Sequence, residues 1–297
     1  MRAPEKGKLC IYILYMENIH EFAKGEIRDM SEQRLAGKVI LVTASTRGIG
    51  LAIVRRCAAE GATVYMAARN MESAAARAAE INAQGGCVKT VYSDAYDHDS
   101  YTSMVEEVIK NEGHLDVLVN NFGTSNPRKD RDIETTTFED YIGTVNVNLA
   151  SVFLTTQAVL PHMKKNGGGS IINISSVGGI VPDISQIAYG TSKAAINYLT
   201  KLIAVQEARS NIRCNAVLPG MTATDAVTNN LSDDFRDFFL KHTPIKRMGL
   251  PEEIAATVAY FASDDSAYTT GQIVAVSGGF GLPTPIYGDM IERSERR

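Results

Sequence analysis

The chain has 297 residues, a formal net charge of -4 and a hydrophobic fraction of 44%. This length suffices for one large α/β domain with a sizeable core. The charge balance and the lack of a basic run argue against a nucleic-acid partner. The apolar run at 9–16 is too short to cross a bilayer, so we expect no membrane partner. The four cysteines lack metal-ligand spacing, so we expect no metal, reduced thiols and a cytoplasmic location.

The N-terminal region differs from the rest of the chain. The run at 9–16 is short for a signal peptide, and no small-residue cleavage site follows it. Met30 opens the stretch MSEQRLAGKVILVTA, which leads into the globular pattern. Residues 1–29 are therefore predicted to be a dispensable extension or an upstream mis-start. The domain is predicted over 30–281, and 282–297 form a C-terminal tail.

Seven apolar runs of strand length alternate with amphipathic segments of helical length. Val, Ile and Leu fill these runs without polar alternation, which is typical of a parallel sheet covered on both faces. The alternation predicts a single α/β domain with a doubly wound, Rossmann-type sheet and right-handed crossovers. An extra helical segment at 222–249 follows the sixth run and is a candidate substrate lid. The runs lie at 39–44, 63–68, 88–93, 115–121, 170–175, 212–219 and 273–279.

The stretch TASTRGIG at 43–50, here called the cofactor turn, follows the first run and precedes a helical pattern. A strand, a glycine-rich turn and a helix N-terminus together favour binding of a dinucleotide pyrophosphate. Ala44 occupies the usual first glycine position, and we expect a negative φ there. Ser45 and Thr46 are expected to supply hydroxyl donors. The predicted cofactor contacts in this turn are Thr43, Ser45, Thr46, Arg47, Gly48, Ile49 and Gly50.

The end of the second run indicates which nicotinamide cofactor binds. NAD-binding sheets commonly place a carboxylate near here, which accepts hydrogen bonds from the ribose 2′-OH. This chain instead has Ala68 followed by Arg69 and Asn70. A guanidinium suits a 2′-phosphate, and Arg47 is placed to reach the same group. The pattern predicts NADP, with Arg69 and Asn70 as contacts; the alternative is that both arginines are solvated surface charges.

The segment SIINISSVGGIVPDISQIAYGTSKAAINYLT carries the most specific chemical signal. Tyr189 and Lys193 are four residues apart in a helical pattern, so they share one face. A neighbouring ammonium stabilises a phenolate, so Lys193 is expected to lower the tyrosine pKa. Tyr189 is then predicted to move a proton while a nicotinamide handles hydride. Ser176, at the end of the preceding strand, is predicted to bond the same substrate oxygen.

From about Gly37 to Phe280 the chain resembles the short-chain dehydrogenase/reductase family. The resemblance rests on the motifs above and on NNFG at 120–123, NVNLASVF at 146–153 and LPGMTAT at 218–224. The resemblance implies a catalytic set of Ser176, Tyr189 and Lys193, with Asn148 in a proton relay and Lys193 also on the nicotinamide ribose. It implies a homotetramer, and helical patterns that are apolar on more than one face agree. Phe122, in place of the family's usual alanine, is expected to narrow the cleft. The further cofactor contacts that it implies are Asp94, Asn120, Asn121, Gly123, Pro219, Gly220, Thr222 and Thr224.

Within this family, the chain resembles the clostridial-type, NADP-dependent 7α-hydroxysteroid dehydrogenases. The resemblance rests on the stretches VPDISQIAYGTSKAAIN and DDFRDFFLKHTPIKRMGLPEEIA and on TPIY at 284–287. That resemblance implies reversible oxidation of the 7α-hydroxyl of bile acids. The lid's apolar residues would form a steroid wall or pack against the domain. They are Val227, Leu231, Phe235, Phe238, Phe239 and Leu240, and the candidate cations for the bile-acid carboxylate are Lys241, Lys246 and Arg247.

Two alternatives remain. A 3-oxoacyl-thioester reductase, like other short-chain alcohol or ketone reductases, would share the catalytic residues and differ in the substrate pocket. A non-catalytic NADP-binding protein is a remote alternative, because such a protein is expected to lack the tyrosine or the lysine.

Overall fold

The structure is a computed structural model that describes residues 33–229 and 232–295. The predicted extension 1–29, the predicted domain start at Met30 and the lid residue Leu231 lie outside the described residues. No helix in the described ranges is long and apolar enough to span a membrane.

Seven strands form one parallel sheet in the order β3-β2-β1-β4-β5-β6-β7, which confirms the predicted doubly wound sheet. The strands are β1 Val39–Thr43, β2 Thr63–Ala68, β3 Cys87–Tyr92, β4 Val117–Asn120, β5 Gly169–Ile174, β6 Ile212–Pro219 and β7 Ile273–Val276. The helices are α1 Gly48–Ala59, α2 Met71–Asn82, α3 Asp99–Glu112, α4 Phe138–Lys165, α5 Ile187–Glu207, α6 Asp225–Thr228, α7 Asp233–Lys241, α8 Pro251–Ala262 and α9 Tyr287–Glu295.

Each predicted apolar run overlaps one of these strands, but the two outer strands, β3 and β7, depart from the expected uniform burial. Val88 and Val91 are buried, whereas Lys89 is exposed and forms an ion pair with Glu112. The physical reason is position, since β3 is an outer strand of the sheet and only part of its surface is covered. The inner strands β1 and β4 are buried throughout, as predicted.

Helices cover both faces of the sheet. One core lies between the sheet and α1, α2 and α8, and it includes Ile53, Ile81 and Val258. The other lies between the sheet and α3, α4 and α5, and it includes Met104 and Met163. Burial of these apolar side chains at about 25 cal/mol per Å² is the main stabilising contribution.

The strand order reverses at β1, which pairs with β2 on one side and β4 on the other. In open α/β sheets the crevice beyond the carboxyl ends of the strands at such a switch point is where ligands bind. The cofactor turn follows β1, and the loop at 121–137, here called the β4 loop, follows β4. The predicted site residues therefore gather at one edge of the sheet.

Candidate active site

The cofactor turn leaves the N-terminus of α1 open. No side chain caps this helix, and its first turn holds no acidic residue. Free N–H groups and the positive end of a helix dipole favour an anion such as a pyrophosphate. A Cβ at Gly50 would lie 2.5 Å from Asn121 Nδ2 and 2.7 Å from the Ala44 carbonyl oxygen, so the turn packs too closely there for any side chain.

The expected negative φ at Ala44 is wrong. The structure places Ala44 at φ +52, in the left-handed region that glycine adopts at little cost. The turn thus keeps the backbone of a glycine fingerprint although the residue is alanine. Left-handed backbone costs a residue with a Cβ about 1–2 kcal/mol.

Replacing Ala44 with Gly is therefore expected to stabilise the fold. Relief of the left-handed backbone outweighs the extra chain entropy of glycine in the unfolded state, for a net gain of about 1 kcal/mol. In a domain of this size that gain raises Tm by about 2–4 °C, measurable by thermal unfolding. Ala83 has an ordinary φ of -64, so Ala83→Gly is a matched control expected to leave Tm unchanged or lower it. A lower Tm for Ala44→Gly would contradict the strain at this position.

Two of the three hydroxyl residues in the cofactor turn are buried and bond within the protein, and the third is half-buried. Ser45 is fully buried and donates to the Val42 carbonyl oxygen at 2.9 Å, so the donor expected there is used within the protein. Thr43 is also buried, and its Oγ1 accepts the N–H groups of Asn121 at 2.9 Å and Phe122 at 3.1 Å. Thr43 thereby ties β1 to the β4 loop. Thr46 is half-buried at the edge of the turn.

Arg47 and Arg69 are both exposed at the carboxyl edge of the sheet. Arg47 is the residue before α1, and Arg69 directly follows β2. Within the described residues, neither Arg47 nor Arg69 forms an ion pair, whereas several other arginines pair with acidic residues. Both guanidinium groups are therefore available to a ligand. Asn70 is used differently, because its Oδ1 caps α2 by accepting the Ser73 N–H at 2.8 Å.

The β4 loop packs directly on the cofactor turn. Asn121 Nδ2 donates to the carbonyl oxygens of Thr43 and Ala44, each at 3.0 Å. Asn120 is buried and donates to Asn173 Oδ1 at 2.9 Å, so its side chain lies in the interior rather than at the cleft surface. A Cβ at Gly123 would lie 2.8 Å from Lys193 Nζ, so Gly123 lies beside that lysine. Of the two predicted asparagines, Asn121 reaches the cofactor turn and Asn120 does not.

The remaining predicted cofactor contacts lie on neighbouring loops. Asp94 follows β3, and its Oδ1 accepts the Tyr96 N–H at 3.1 Å. Gly220 follows β6 and donates its N–H to the Val276 carbonyl oxygen at 3.0 Å. Thr222 is buried and donates to the Gly220 carbonyl oxygen at 3.0 Å. A Cβ at Gly48 would lie 3.3 Å from Thr224 Cγ2, so the base of the lid adjoins the cofactor turn.

Ser176, Tyr189 and Lys193 come together at the end of β5. Lys193 Nζ lies 5.5 Å from the centroid of the Tyr189 ring, so the predicted shared helix face is present. This ammonium also donates to the Ile174 carbonyl oxygen at 2.9 Å, which fixes α5 to the last residue of β5. Ser176 lies beside the phenol and lowers the tyrosine pKa by hydrogen bonding. The three predicted side chains therefore form one cluster.

The pKa shift of Tyr189 beside Lys193 differs from the one predicted. Burial raises the pKa of Tyr189, and the hydrogen bond from Ser176 opposes that shift only in part. Burial has the opposite effect on Lys193 and lowers its pKa to about 8, because removal from water disfavours the ammonium. The pKa of Tyr189 in the protein without ligands is thus raised rather than lowered as predicted, since desolvation outweighs the hydrogen bond from Ser176.

Asn148 is fully buried within α4, and its side chain joins two elements of the site. Its Oδ1 accepts the Thr124 N–H at 2.9 Å, and its Nδ2 donates to the Thr124 carbonyl oxygen and to Ser192 Oγ, each at 3.0 Å. Ser192 Oγ in turn donates to the Tyr189 carbonyl oxygen at 2.7 Å. The side chain therefore contacts the β4 loop and α5 rather than Lys193.

One buried acid of the site was missed by the sequence analysis. Asp130 in the β4 loop is 1% exposed, and its carboxylate accepts the main-chain N–H groups of Ala188 and Tyr189. The sequence around it, RKDRDIE, is charged at every position except Ile133 and shows no feature that distinguishes this aspartate from a solvated one.

The candidate lid is bonded at its base and packs in part against the domain. Ala223 and Gly249 are joined by a hydrogen bond of 2.8 Å, which closes the base. Phe239 stacks on Phe280 with ring centroids 4.3 Å apart, so this residue packs against the domain. Phe235 and Phe238 are 51% and 65% exposed and remain available as an apolar wall.

Two of the three candidate cations for a substrate carboxylate are already paired. Lys241 contacts Asp289 at 2.8 Å and Glu292 at 2.9 Å, both on α9. Arg247 pairs with Glu253. Lys246 is exposed, and the ion pairs found in the described ranges do not include it. Lys241 and Arg247 therefore bind the lid to α9 and α8, and Lys246 is the candidate that remains for a substrate carboxylate.

Comparison with known proteins identifies the family. Residues 43–281 match the family model described as enoyl-(acyl carrier protein) reductase. Over 261 residues the chain is 52% identical to a 7α-hydroxysteroid dehydrogenase from Clostridium sardiniense, covering 88% of this chain and 100% of that one. The chain belongs to the short-chain dehydrogenase/reductase family. The predicted family is confirmed, and this dehydrogenase is an oxidoreductase of a family that uses a nicotinamide cofactor.

Two further relatives bear on the substrate of the dehydrogenase. A 3-oxoacyl-(acyl carrier protein) reductase from Thermotoga maritima is 39% identical over 246 residues, covering 83% of this chain and 98% of that one. A solved 7α-hydroxysteroid dehydrogenase complexed with NADH and 7-oxo glycochenodeoxycholic acid aligns with a TM-score of 0.79 at 32% identity. That alignment covers 83% of this chain and 95% of the solved one.

Proposed function

We propose that this dehydrogenase reversibly oxidises the 7α-hydroxyl of bile acids to a ketone, with NADP as hydride acceptor. The observation that carries the chemistry is the cluster of Ser176, Tyr189 and Lys193 at the carboxyl edge of the sheet. The bile-acid substrate is supported by the names of the relatives at 52% and 49% identity, both 7α-hydroxysteroid dehydrogenases. The exposed aromatic residues of the lid supply apolar surface suited to a steroid.

Each catalytic side chain has a defined role in this proposal. Ser176 donates a hydrogen bond to the substrate oxygen and orients it, while Tyr189 as phenolate takes the hydroxyl proton. A bound oxidised nicotinamide would supply the acceptor for the hydride that leaves the carbinol carbon. Lys193 stabilises the phenolate and binds the nicotinamide ribose. Asn148 holds Thr124 and Ser192 in place, and a relay of protons through it stays a prediction.

NADP rather than NAD is supported by the end of β2 and by the available cations. Ala67 and Ala68 end that strand where NAD-binding sheets commonly place a carboxylate. Arg47 and Arg69 are exposed and free of ion pairs within the described ranges, which suits a 2′-phosphate. The pyrophosphate would lie on the open N-terminus of α1, beside Gly48 and Gly50.

An assay with purified protein tests the substrate. We expect NADPH to form when NADP and chenodeoxycholic or cholic acid are supplied, because both carry a 7α-hydroxyl. Deoxycholic acid, which lacks a 7-hydroxyl, is the matched control and is expected to give no product. Failure with both 7α-hydroxy acids, together with NADPH-dependent reduction of an acetoacetyl thioester, would instead support the 3-oxoacyl reductase alternative.

The rate of alcohol oxidation is expected to rise with pH. The reaction needs phenolate, and burial raises the pKa of Tyr189, so phenolate is the minor form at neutral pH. Well below that pKa the phenolate fraction grows about tenfold per pH unit. The rise is expected to flatten above about pH 8, where Lys193 loses its proton. The pH dependence of kcat/KM, which reports the pKa values of the protein before substrate binds, measures this profile, and a kcat/KM that falls from pH 6 to pH 8 would contradict it.

We further propose that the protein is a homotetramer in the cytoplasm. Outward-facing apolar side chains on α4 and α5 support one interface between copies, because such clusters mark interaction surfaces. Size-exclusion chromatography with light scattering tests this, and a wild-type monomer would contradict it. The side chains are Phe138, Ile142, Phe153, Tyr198, Leu202 and Val205.

A further inference from the structure

The N-terminus of α5 lacks a local cap. Gln186, the residue before the helix, has φ +58 and ψ 46, and its side chain caps no N–H group. The first N–H groups of any helix have no partner within it and must find one elsewhere. In α5 this need falls on the turn that carries Tyr189.

The β4 loop supplies the missing partners. Asp130 Oδ1 accepts the Ala188 N–H at 2.8 Å, and Oδ2 accepts the Tyr189 N–H at 2.9 Å. The carbonyl oxygen of Arg131 accepts the Ile187 N–H at 3.2 Å. Three successive N–H groups therefore bond to two adjacent loop residues. A carboxylate also interacts favourably with the positive end of the helix dipole.

The other side of the catalytic turn is anchored independently. Lys193 Nζ is held by the Ile174 carbonyl oxygen, and Ser175 Oγ donates to the Lys193 carbonyl oxygen at 3.1 Å. Strand β5 therefore fixes Lys193, whereas the β4 loop fixes the backbone of Tyr189. Loss of the Asp130 carboxylate would release Tyr189 and leave Lys193 in place.

We propose that Asp130 is a positioning residue, whose buried carboxylate sets the place of Tyr189 relative to Ser176 and Lys193. It acts through the main chain of Tyr189 rather than by touching substrate or cofactor. This inference rests on the proposed catalytic role of Tyr189. Misplacement of a catalytic group by about 1 Å can cost about 10²-fold in rate. The effect should therefore fall on kcat and spare cofactor binding.

Substitutions of Asp130 test the inference. Asp130→Ala is expected to lower kcat for 7α-hydroxy bile-acid oxidation by about 10- to 100-fold, with the Kd for NADPH changed by less than about twofold. Asp130→Asn keeps one acceptor oxygen and should recover part of kcat. Asp132→Ala is the matched control, because Asp132 accepts the Glu134 and Thr135 N–H groups within the same loop. It is expected to keep wild-type kcat.

Each outcome has one meaning. Wild-type kcat in Asp130→Ala, or an equal loss of kcat and NADPH binding, would overturn the inference. If Asp130→Ala does not fold, Asp130→Asn decides, and wild-type kcat in that variant would overturn it. Tyr189→Phe, assayed in parallel, separates this result from the proposed function. Activity in Tyr189→Phe would refute the catalytic role, whereas an inactive Tyr189→Phe beside a fully active Asp130→Ala would refute only the positioning.

Discussion

Tyr189→Phe is expected to lower kcat for steroid oxidation by about 10²- to 10⁴-fold, which is the usual contribution of one positioned acid-base group. The substitution removes only the hydroxyl, so the half-buried ring still packs against the Lys193 side chain. NADPH binding and Tm are therefore expected to stay close to those of the wild type. Steady-state kinetics, a fluorescence titration with NADPH and thermal unfolding together measure this result.

A second tyrosine provides the control for this result. Tyr268 is fully exposed in the turn after α8, far along the chain from the catalytic cluster. Tyr268→Phe is expected to keep wild-type kcat. Substantial turnover by Tyr189→Phe would show that another group transfers the proton, and the proposed roles of Ser176 and Lys193 would then need revision.

The double variant Arg47→Ala, Arg69→Ala is expected to lower kcat/KM for NADP by about 10²-fold or more. Hydrogen bonds to charged groups contribute about 1.5–3 kcal/mol each, and each 1.4 kcal/mol is about tenfold. NAD lacks the 2′-phosphate, so kcat/KM for NAD should change only a few-fold. The ratio of the two kcat/KM values, measured with one bile acid, reports the change in preference.

Another exposed arginine separates local binding from a general charge effect. Arg77 lies on α2 and pairs with Glu80 on the helix surface. Arg77→Ala is expected to leave the NADP to NAD ratio unchanged. A double variant that retained the wild-type ratio would mean that both arginines are solvated surface charges, which is the alternative that the sequence left open.

The parts of the fold that the sequence predicts are those encoded locally. A buried strand such as β1 is an apolar run with a single polar residue at its end, so its type and position follow from pattern alone. The pairing of Tyr189 with Lys193 follows in the same way, because four-residue spacing fixes a common helix face. The family resemblance then added Asn148 and the cofactor contacts on the neighbouring loops.

The parts that the sequence did not predict depend on distant partners or on backbone strain. Asp130 caps a helix whose N–H groups lie 58 and 59 residues further along the chain, and no local pattern reveals that contact. Lys241 is paired with α9, across about 50 residues. The left-handed backbone of Ala44 is imposed by the surrounding turn, against the preference of alanine.

The most direct test of the central claim is the stereochemistry of the substrate. Initial rates of NADPH formation should be measured with chenodeoxycholic acid and with its 7β-hydroxy epimer, ursodeoxycholic acid, under identical conditions. The account predicts turnover of the 7α-hydroxy acid to a 7-oxo product, with little or no turnover of the 7β epimer. Equal rates with both epimers, or no NADPH from either, would contradict it.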